Sequence, residues 1–568
     1  MSATTRARPG RSRRSHATRA WSSGTTAVQD APVALHLTPI PRRAALPPPK
    51  RHWLRKWLRQ HWLSLLVVTG LLLVVGVVHA VGYDRFPGRA TDDEGTYVSQ
   101  AWAVQYWHSL AHYTYWYDHP PLGWITMAAY NWVTQAFERL PTSVSVGREF
   151  MIWVKVVSAA MIYLLGRRLG YNRLTASGAV LLFGLSPLAI SFHRMVYLDN
   201  LAVMWTLAAL ALAASRRRSL AAAVGSAACF AMAVLSKETI AVLFPALLLL
   251  LWQHTSPKTR RYTIALFLTV LAALLFTYPL YALLKNELLE GPNHVSLMWT
   301  IKWQLFYRTP SGSLLDPSSD TYAVARSWLE TDPLLIGAGV LLTPIGLLIV
   351  RTRAVTLALV IQVVMLFRNG YLPFPYVIGL LPFAALTLAG VADQLCKGPA
   401  SRGWPSTLTR RTGQLVVVSA VVVGFLFVGP AWDRGIHQAM TEDHSKPARQ
   451  ALDYVDTHVP RGSILLVDNN LWTDLVRRGF NPNPVWFYKL DLDPAVRAKY
   501  QNGWRDLDYI VLSEYTATTV KDLPTVMEAV RHSEVIASFG DGDITVRRIV
   551  KNAPEQLPTD PPAGSGPP

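Results

Sequence analysis

The chain has 568 residues, 51% hydrophobic and only 16% charged, against about 25% charged in an ordinary soluble domain. A formal net charge of +19 would suit nucleic acid, but its distribution argues against that partner. Thirteen Arg and Lys and a single acid precede Gln60, and most other basic clusters separate apolar runs, where such charge sets topology and meets anionic headgroups.

In chain order, residues 1–60 are expected to form a disordered basic tail. Its first fifty residues, rich in Arg, Ser, Thr, Ala and Pro, cannot bury a core. The run Trp62–Val81 has the ~20 residues that cross a hydrocarbon core, and the long basic tail before it marks a retained anchor. Eleven runs have spanning character: 62–82, 149–166, 174–192, 199–214, 220–236, 239–253, 262–284, 333–350, 354–367, 373–392 and 414–430. The prediction is a polytopic α-helical membrane protein of about eleven transmembrane helices over residues 61–430. Arg167/Arg168/Arg173, Arg216-Arg217-Arg218, Lys258/Arg260/Arg261, Arg351/Arg353 and Lys397/Arg402/Arg410/Arg411 fall in every second connection. They are expected in the cytoplasm with the N-terminus, which leaves the C-terminus outside the cell membrane. Leu122–Phe137, short and carrying Asn131 and Gln135, is expected to lie in the interface or re-enter. Outer loops are expected over 83–148 and 285–332.

After Pro430 the hydropathy drops, and 431–550 reads as a small extracytoplasmic α/β domain. Helices are predicted at Ala448–His458 and Thr525–His532, and strands at Ser463–Val467, Tyr509–Leu512, Val535–Ser538 and Ile544–Ile549. The Pro-rich stretch 551–568 is expected to be disordered. Cys229 and Cys396 fall at different depths, so neither a disulfide nor a Cys/His metal centre is expected.

The candidate chemistry lies at the outer ends of the spans. Asp92-Asp93-Glu94 places three carboxylates side by side. Their mutual repulsion raises a pKa if the site is partly buried, which suits a general base; a solvated loop end is the plainer reading. An aromatic series (Tyr97, Tyr106, Trp107, Tyr113, Tyr115, Trp116, Tyr117) leads into Asp118-His119-Pro120-Pro121-Leu122. Such rings anchor among headgroups and also stack on sugar faces. Asp93, His119, Arg194, Asp199, Lys237 and Arg368 all fall at outer span ends, where charge tends to face a cavity or a partner. Arg and Lys there would hold a lipid phosphate. Arg194 and Asp199 equally suit an interhelical ion pair, and Lys237 a snorkelling role. Lys155, about two turns inside its span, does not. His119 suits a turn or hydrogen-bonding role.

Asp93-Glu94, two residues, Tyr97, and the later His119-Pro120-Pro121-Leu122 resemble the first outer loop of the polyprenyl-phosphate-dependent glycosyltransferases of the C-type (GT-C) fold. That superfamily includes protein O-mannosyltransferases and lipid A aminoarabinose transferases. The likeness continues, in order, through Tyr163-Leu164-Leu165-Gly166-Arg167-Arg168, Arg194-Met195-Val196-Tyr197-Leu198-Asp199, Leu235-Ser236-Lys237 and Arg368-Asn369-Gly370-Tyr371-Leu372-Pro373-Phe374-Pro375. The resemblance implies Asp93 as catalytic base with Glu94 beside it. It implies Arg194, Lys237 and Arg368 at the donor phosphate, with either Arg148 or Lys155 as the basic residue opening the second span. Tyr97, His119, Asp199 and Tyr371 would contact substrate. The activity implied is inverting transfer of a sugar from a polyprenyl-phosphate carrier to an outer-face protein, lipid or glycan, in contact with membrane lipids and without nucleic acid, divalent metal or other cofactor. The alternative, a multi-span transporter or flippase of lipid-linked sugars, would favour related halves and mid-membrane charge. Neither is evident in the sequence. An outer-surface binding protein would place its function in the tail, where Asp468-Asn469-Asn470 is a suggestive loop without a recognisable catalytic set.

Overall fold

The computed structural model describes residues 52–88, 92–291, 294–397, 406–520 and 522–551. Residues 1–51 and 552–568, which hold most of the stretches 1–60 and 551–568 expected to be disordered, and Arg402 of one basic loop lie outside the described residues. Contrary to that expectation a helix already begins at His52, because the apolar run continues back through Trp53, Leu54, Trp57 and Leu58.

The apolar runs form helices because a helix satisfies its own backbone groups without water. From the N-terminus come α1 (His52–Ala80), α2 (Asp93–Trp102), α3 (Leu122–Thr134), α4 (Ala136–Arg139) and α5 (Ser143–Arg168). They are followed by α6 (Arg173–Leu185), α7 (Pro187–Arg194), α8 (Leu198–Ala213) and α9 (Leu220–Ser236). A 3₁₀ turn over Glu238–Leu243 leads into α10 (Phe244–His254), and α11 (Arg260–Leu275) runs on into α12 (Thr277–Leu284). The second long loop carries α13 (Leu297–Lys302) and α14 (Asp320–Thr331). The apolar part closes with α15 (Gly339–Leu341), α16 (Thr343–Leu348), α17 (Arg353–Met365), α18 (Val377–Lys397) and α19 (Ser406–Thr441).

Among the described residues, five helices are long and apolar enough to cross a membrane: Leu58–Ala80, Ser143–Arg168, Arg260–Leu284, Phe374–Lys397 and a window within Leu408–His458. The pair α6–α7 makes six if its bend of 62° lies within one span. Leu198–Ala213, Leu220–Ser236, Glu238–His254 and Arg353–Met365 are apolar but shorter. The run expected at 333–350 is not a single helix. It breaks between α15 and α16, ahead of Pro344 and among Gly337, Gly339 and Gly346, residues that weaken or end helices. α18 is buried along most of its length and packs on α6, α17 and α19; α5, α8, α9 and α11 complete the core. α1 and α19 leave apolar side chains such as Leu66 and Phe427 exposed, as lipid-facing helices do.

The bend at α6–α7 follows from Pro187, which lacks an N–H and excludes helical backbone just before it. Ser186 caps the new helix by accepting the Ala189 N–H at 3.3 Å. Carbonyls beside the break are taken by side chains from other helices. Lys155 Nζ donates to Phe183 O at 2.9 Å, and His79 Nε2 lies 3.0 Å from Gly184 O. At one end of the bundle the basic connections meet: Arg351 (3.2 Å) and Lys397 (2.5 Å) pair with buried Asp393, which also accepts from Asn172 and Thr175.

Beyond Thr441 the chain forms α20 (Lys446–His458), β1 (Leu465–Val467), α21 (Asn469–Arg477), β2 (Val485–Trp486), α22 (Phe487–Leu492), α23 (Pro494–Lys499), β3 (Tyr509–Ser513), α24 (Glu514–Thr519), α25 (Pro524–Arg531), β4 (Ser533–Phe539) and β5 (Ile544–Ile549). The sheet order is β2-β1-β3-β5-β4, parallel from β2 to β3 and antiparallel from β3 to β4. Strand alternation sends Leu465, Val467, Val511 and Val546 to one face, against α20 and α21. Leu466, Ile510 and Leu512 point to the other, against α22 and α25. Each fully buried Val or Leu there contributes about 1.5–3 kcal/mol.

Candidate active site

α2 carries the acidic triplet. Asp92 stands at its start and takes the Thr96 N–H on its backbone oxygen at 2.9 Å; Asp93 and Glu94 fill the first turn, where the helix dipole favours negative charge. The two acids then part. Glu94 is buried and receives a bidentate Arg148, Nε to Oε1 at 2.9 Å and Nη2 to Oε2 at 2.8 Å, together with the Val196 N–H at 3.0 Å. Arg148 gives its remaining nitrogen to the carbonyls of Pro87 (2.8 Å) and Tyr83 (3.3 Å). Asp93 is half-buried, and its charge acts on a different group of side chains.

That group gathers where α2, the segment before α3, the start of α8 and the corner after α9 meet. Lys237 ends α9, and its extended backbone starts the 3₁₀ turn with Glu238 next to it. Lys237 Nζ lies 2.9 Å from His119 Nε2 and 3.9 Å from Asp199 Oδ2. His119 Nδ1 lies 3.0 Å from Glu238 Oε2. Since an ammonium can only donate, His119 is assigned as the neutral tautomer, accepting from Lys237 on Nε2 and donating from Nδ1 to Glu238. Asp93 and Asp118 add their charge to the same neighbourhood. Burial, then Asp93, Asp199, Asp118 and Glu238, hold the Tyr97 phenol well above its usual range. Tyr97 stacks on Trp124 at 6.5 Å and faces the His119 ring at 6.2 Å. Tyr115 fixes the turn by donating to His119 O at 2.6 Å. Four carboxylates thus surround one ammonium and one imidazole, with Lys237 placed to offer a further N–H to an anion.

Asp93, Tyr97, His119, Asp199 and Lys237 were expected at the site, and the structure brings them together. The other expected residues lie elsewhere. Arg194 is fully buried; its Nη atoms donate to Val78 O (2.6 Å), Val81 O (2.7 Å), Ala439 O (2.7 Å) and Phe86 O (3.2 Å), so it joins the end of α1 to the end of α19. It does not pair with Asp199, which faces Lys237 instead. Arg148 and Glu94 are consumed by each other, and Lys155 by the break after Phe183, over whose ring it sits at 3.2 Å. Arg368 is exposed and donates to Tyr371 O at 3.4 Å, while Arg308 covers the Tyr371 ring at 3.3 Å. Sequence reasoning missed Asp118, Glu238 and Lys489. The first two adjoin expected residues, and that adjacency was the available signal. Lys489 came from the distant α/β region with no motif. Its Nζ lies 3.1 Å from the Trp116 ring, and burial draws its ammonium down to about 8 against the pull of Asp493 and Asp118. No group of three or more His, Cys, Asp or Glu side chains suited to a metal ion is found among the described residues.

Residues 118–282, from the Asp118-His119 turn to α12, match the family model described as dolichyl-phosphate-mannose-protein mannosyltransferase. A crystal structure of ArnT from Cupriavidus metallidurans bound to undecaprenyl phosphate is similar to this chain with a TM-score of 0.55 at 15% identity, covering 86% of this chain and 99% of that one. The oligosaccharyltransferase AglB from Archaeoglobus fulgidus, in complex with an inhibitory peptide and a dolichol-phosphate, gives a TM-score of 0.48 at 12% identity over 88% of this chain and 75% of that one. Comparison with curated protein sequences finds no match. With this architecture shared along nearly all of ArnT and the mannosyltransferase family model matched over residues 118–282, the chain has the multi-span membrane fold of the C-type glycosyltransferases.

Proposed function

We propose that this protein transfers a sugar from a polyprenyl phosphate to an acceptor at the outer membrane face, with inversion at the anomeric carbon. The observation that carries the reading is the joining of Asp93, Tyr97, Asp118, His119, Asp199, Lys237 and Glu238 into one acidic cluster on the C-type fold. Asp93 takes the proton of an acceptor hydroxyl or amine as that atom forms its bond to the anomeric carbon. The bond from that carbon to the phosphate oxygen breaks, and the electron pair leaves with the polyprenyl phosphate. The leaving group needs no strong acid; Lys237 meets its developing charge, held in position by His119 and Asp199. Arg194 and Arg148 are omitted from the phosphate site because backbone carbonyls already take the Nη groups of Arg194, and Glu94 and carbonyls those of Arg148. The proposed topology retains eleven crossings, with the basic connections around Asp393 in the cytoplasm and the acidic cluster and α/β region outside.

The test uses purified full-length protein in lipid vesicles with a panel of polyprenyl-phosphate sugars and hydroxyl or amine acceptors. Transfer with an inverted product, abolished by Asp93→Asn, is the expected result. Movement of the lipid-linked sugar between leaflets without any transfer would overturn this reading and favour a flippase.

A further inference from the structure

The α/β region grips two of the elements that carry the acidic cluster. α21 lies so close to α2 that a Cβ on Gly95 would overlap the backbone of Asn469 and Asn470. The Asn469 N–H donates to Asp92 Oδ1 at 3.2 Å, and its side-chain amide donates to Thr96 Oγ1 at 2.8 Å. One turn on, Ser99 Oγ lies 2.8 Å from Thr473 Oγ1. Asp474 accepts from the Ser143 N–H (2.7 Å) and hydroxyl (2.9 Å), which fixes the first residue of α5. The aromatic segment before Asp118 is held as firmly. Tyr113 donates to Pro484 O at 3.0 Å, and Thr114 Oγ1 donates to Asp493 at 3.0 Å. Trp116 covers the Lys489 ammonium, which lies 3.8 Å from Asp493. Trp486 Nε1 reaches back to Asp92 Oδ2 at 3.2 Å, so one strand end touches both gripped segments.

We propose that the C-terminal α/β region is a working part of the transfer site, in which Asn469 and Lys489 are positioning residues that hold Asp93 on α2 and the Asp118-His119 turn in mutual register. The proposal rests on the transferase reading above and gives the region a role in it. A buried polar seam that spans two loop segments suits this role better than a freely tethered module would. Its groups are nearly all paired, and displacement of either side by an ångström separates a base from its substrate.

The experiment compares full-length wild type with Asn469→Ala, Lys489→Met and Lys489→Arg in vesicles. Amide hydrogen exchange over residues 93–102 and 112–121 is measured beside steady-state transfer. Asn469→Ala and Lys489→Met are expected to speed exchange in those two stretches by about tenfold while α18 stays protected. In both variants kcat should fall about 10–100-fold with the donor KM unchanged. Lys489→Arg should recover much of both, because guanidinium also stacks on indole and donates. Unchanged exchange in both stretches overturns the proposal, as does a loss of kcat that matches a loss of folded protein in every variant, Lys489→Arg included. If wild type transfers no sugar, the transferase reading falls, and the exchange data alone decide whether the seam orders α2 and the turn.

Discussion

Glu94–Arg148 and Asp199–Lys237 are both carboxylate–cation pairs near helix ends, yet one is closed and the other open. Arg148 makes two short contacts to Glu94 and spends the rest of its donors on two carbonyls; both side chains are 1% exposed. Lys237 stands 3.9 Å from Asp199 with His119 between it and Glu238, beside half-buried Asp93 and Asp118. Arg194 belongs with the closed pair, because backbone carbonyls absorb it. Depth and charge therefore do not distinguish the two kinds of pair in this protein. The difference is one of geometry: Glu94 and backbone carbonyls take up Arg148 and the Nη groups of Arg194, which stabilises the fold, whereas the Lys237 ammonium stands farther from its carboxylate and among four acids.

The sharpest break in this comparison comes at Asp93. Asp93→Asn keeps the shape and removes the basic site, so transfer should fall about 10²–10⁴-fold while insertion and thermal unfolding in detergent stay at wild-type values. Normal turnover in this variant would move the base to Asp118 or another carboxylate of the cluster. On the closed side, Arg148→Met strands a buried carboxylate and should cost about 3–5 kcal/mol of stability. Adding Glu94→Leu should return part of it, read as the unfolding midpoint of single and double variants. If the single variant unfolds like wild type, the pair is not the structural one described. Lys237→Met should weaken donor binding about 10–100-fold, the worth of a charge-assisted contact, in titrations with a polyprenyl phosphate alone. Equal binding by variant and wild type would remove Lys237 from the phosphate site.

The smallest effect concerns the seam. Burial first, then the Lys489 charge, lowers the His112 imidazole to about 3, opposed by its hydrogen bond to Asn469. Between pH 6.5 and about 3 the unfolded chain binds the proton that the folded one refuses, so stability falls as pH falls through that window. At pH 5 the loss is about 1–2 kcal/mol. His112→Gln should flatten this part of the pH–stability curve, and an unchanged slope would show that other groups govern it.

Much of this was legible beforehand. The apolar runs at 62–82, 149–166 and 373–392 fall on helices, and strand patterns at 463–467, 509–512, 535–538 and 544–549 fall on β1, β3, β4 and β5. These follow from periodicity, a local property. Asp93, His119 and Lys237 were readable from their motifs. What was not readable is long-range pairing. Nothing local to Arg194 announces that residues 78–86 and 439 will present carbonyls to it. Nothing in Phe487–Leu492 announces that Lys489 will meet Trp116 across the sequence. The two-residue β2 was too short to carry a pattern, and the break in 333–350 was concealed by unbroken hydrophobicity.

Gly95 gives the seam a consequence for how such proteins can be recombined. Its missing side chain lets two backbones touch, one from the first outer loop and one from the far end of the chain. A tail grafted from a relative would bring its own backbone course at 469–470 and would fit only where the host loop had been shaped for it. The loop and the tail are therefore matched in shape to each other, although more than 350 residues of chain lie between Gly95 and Asn469. A change at position 95, or an insertion between 468 and 470, is tolerated only with an answering change across the contact.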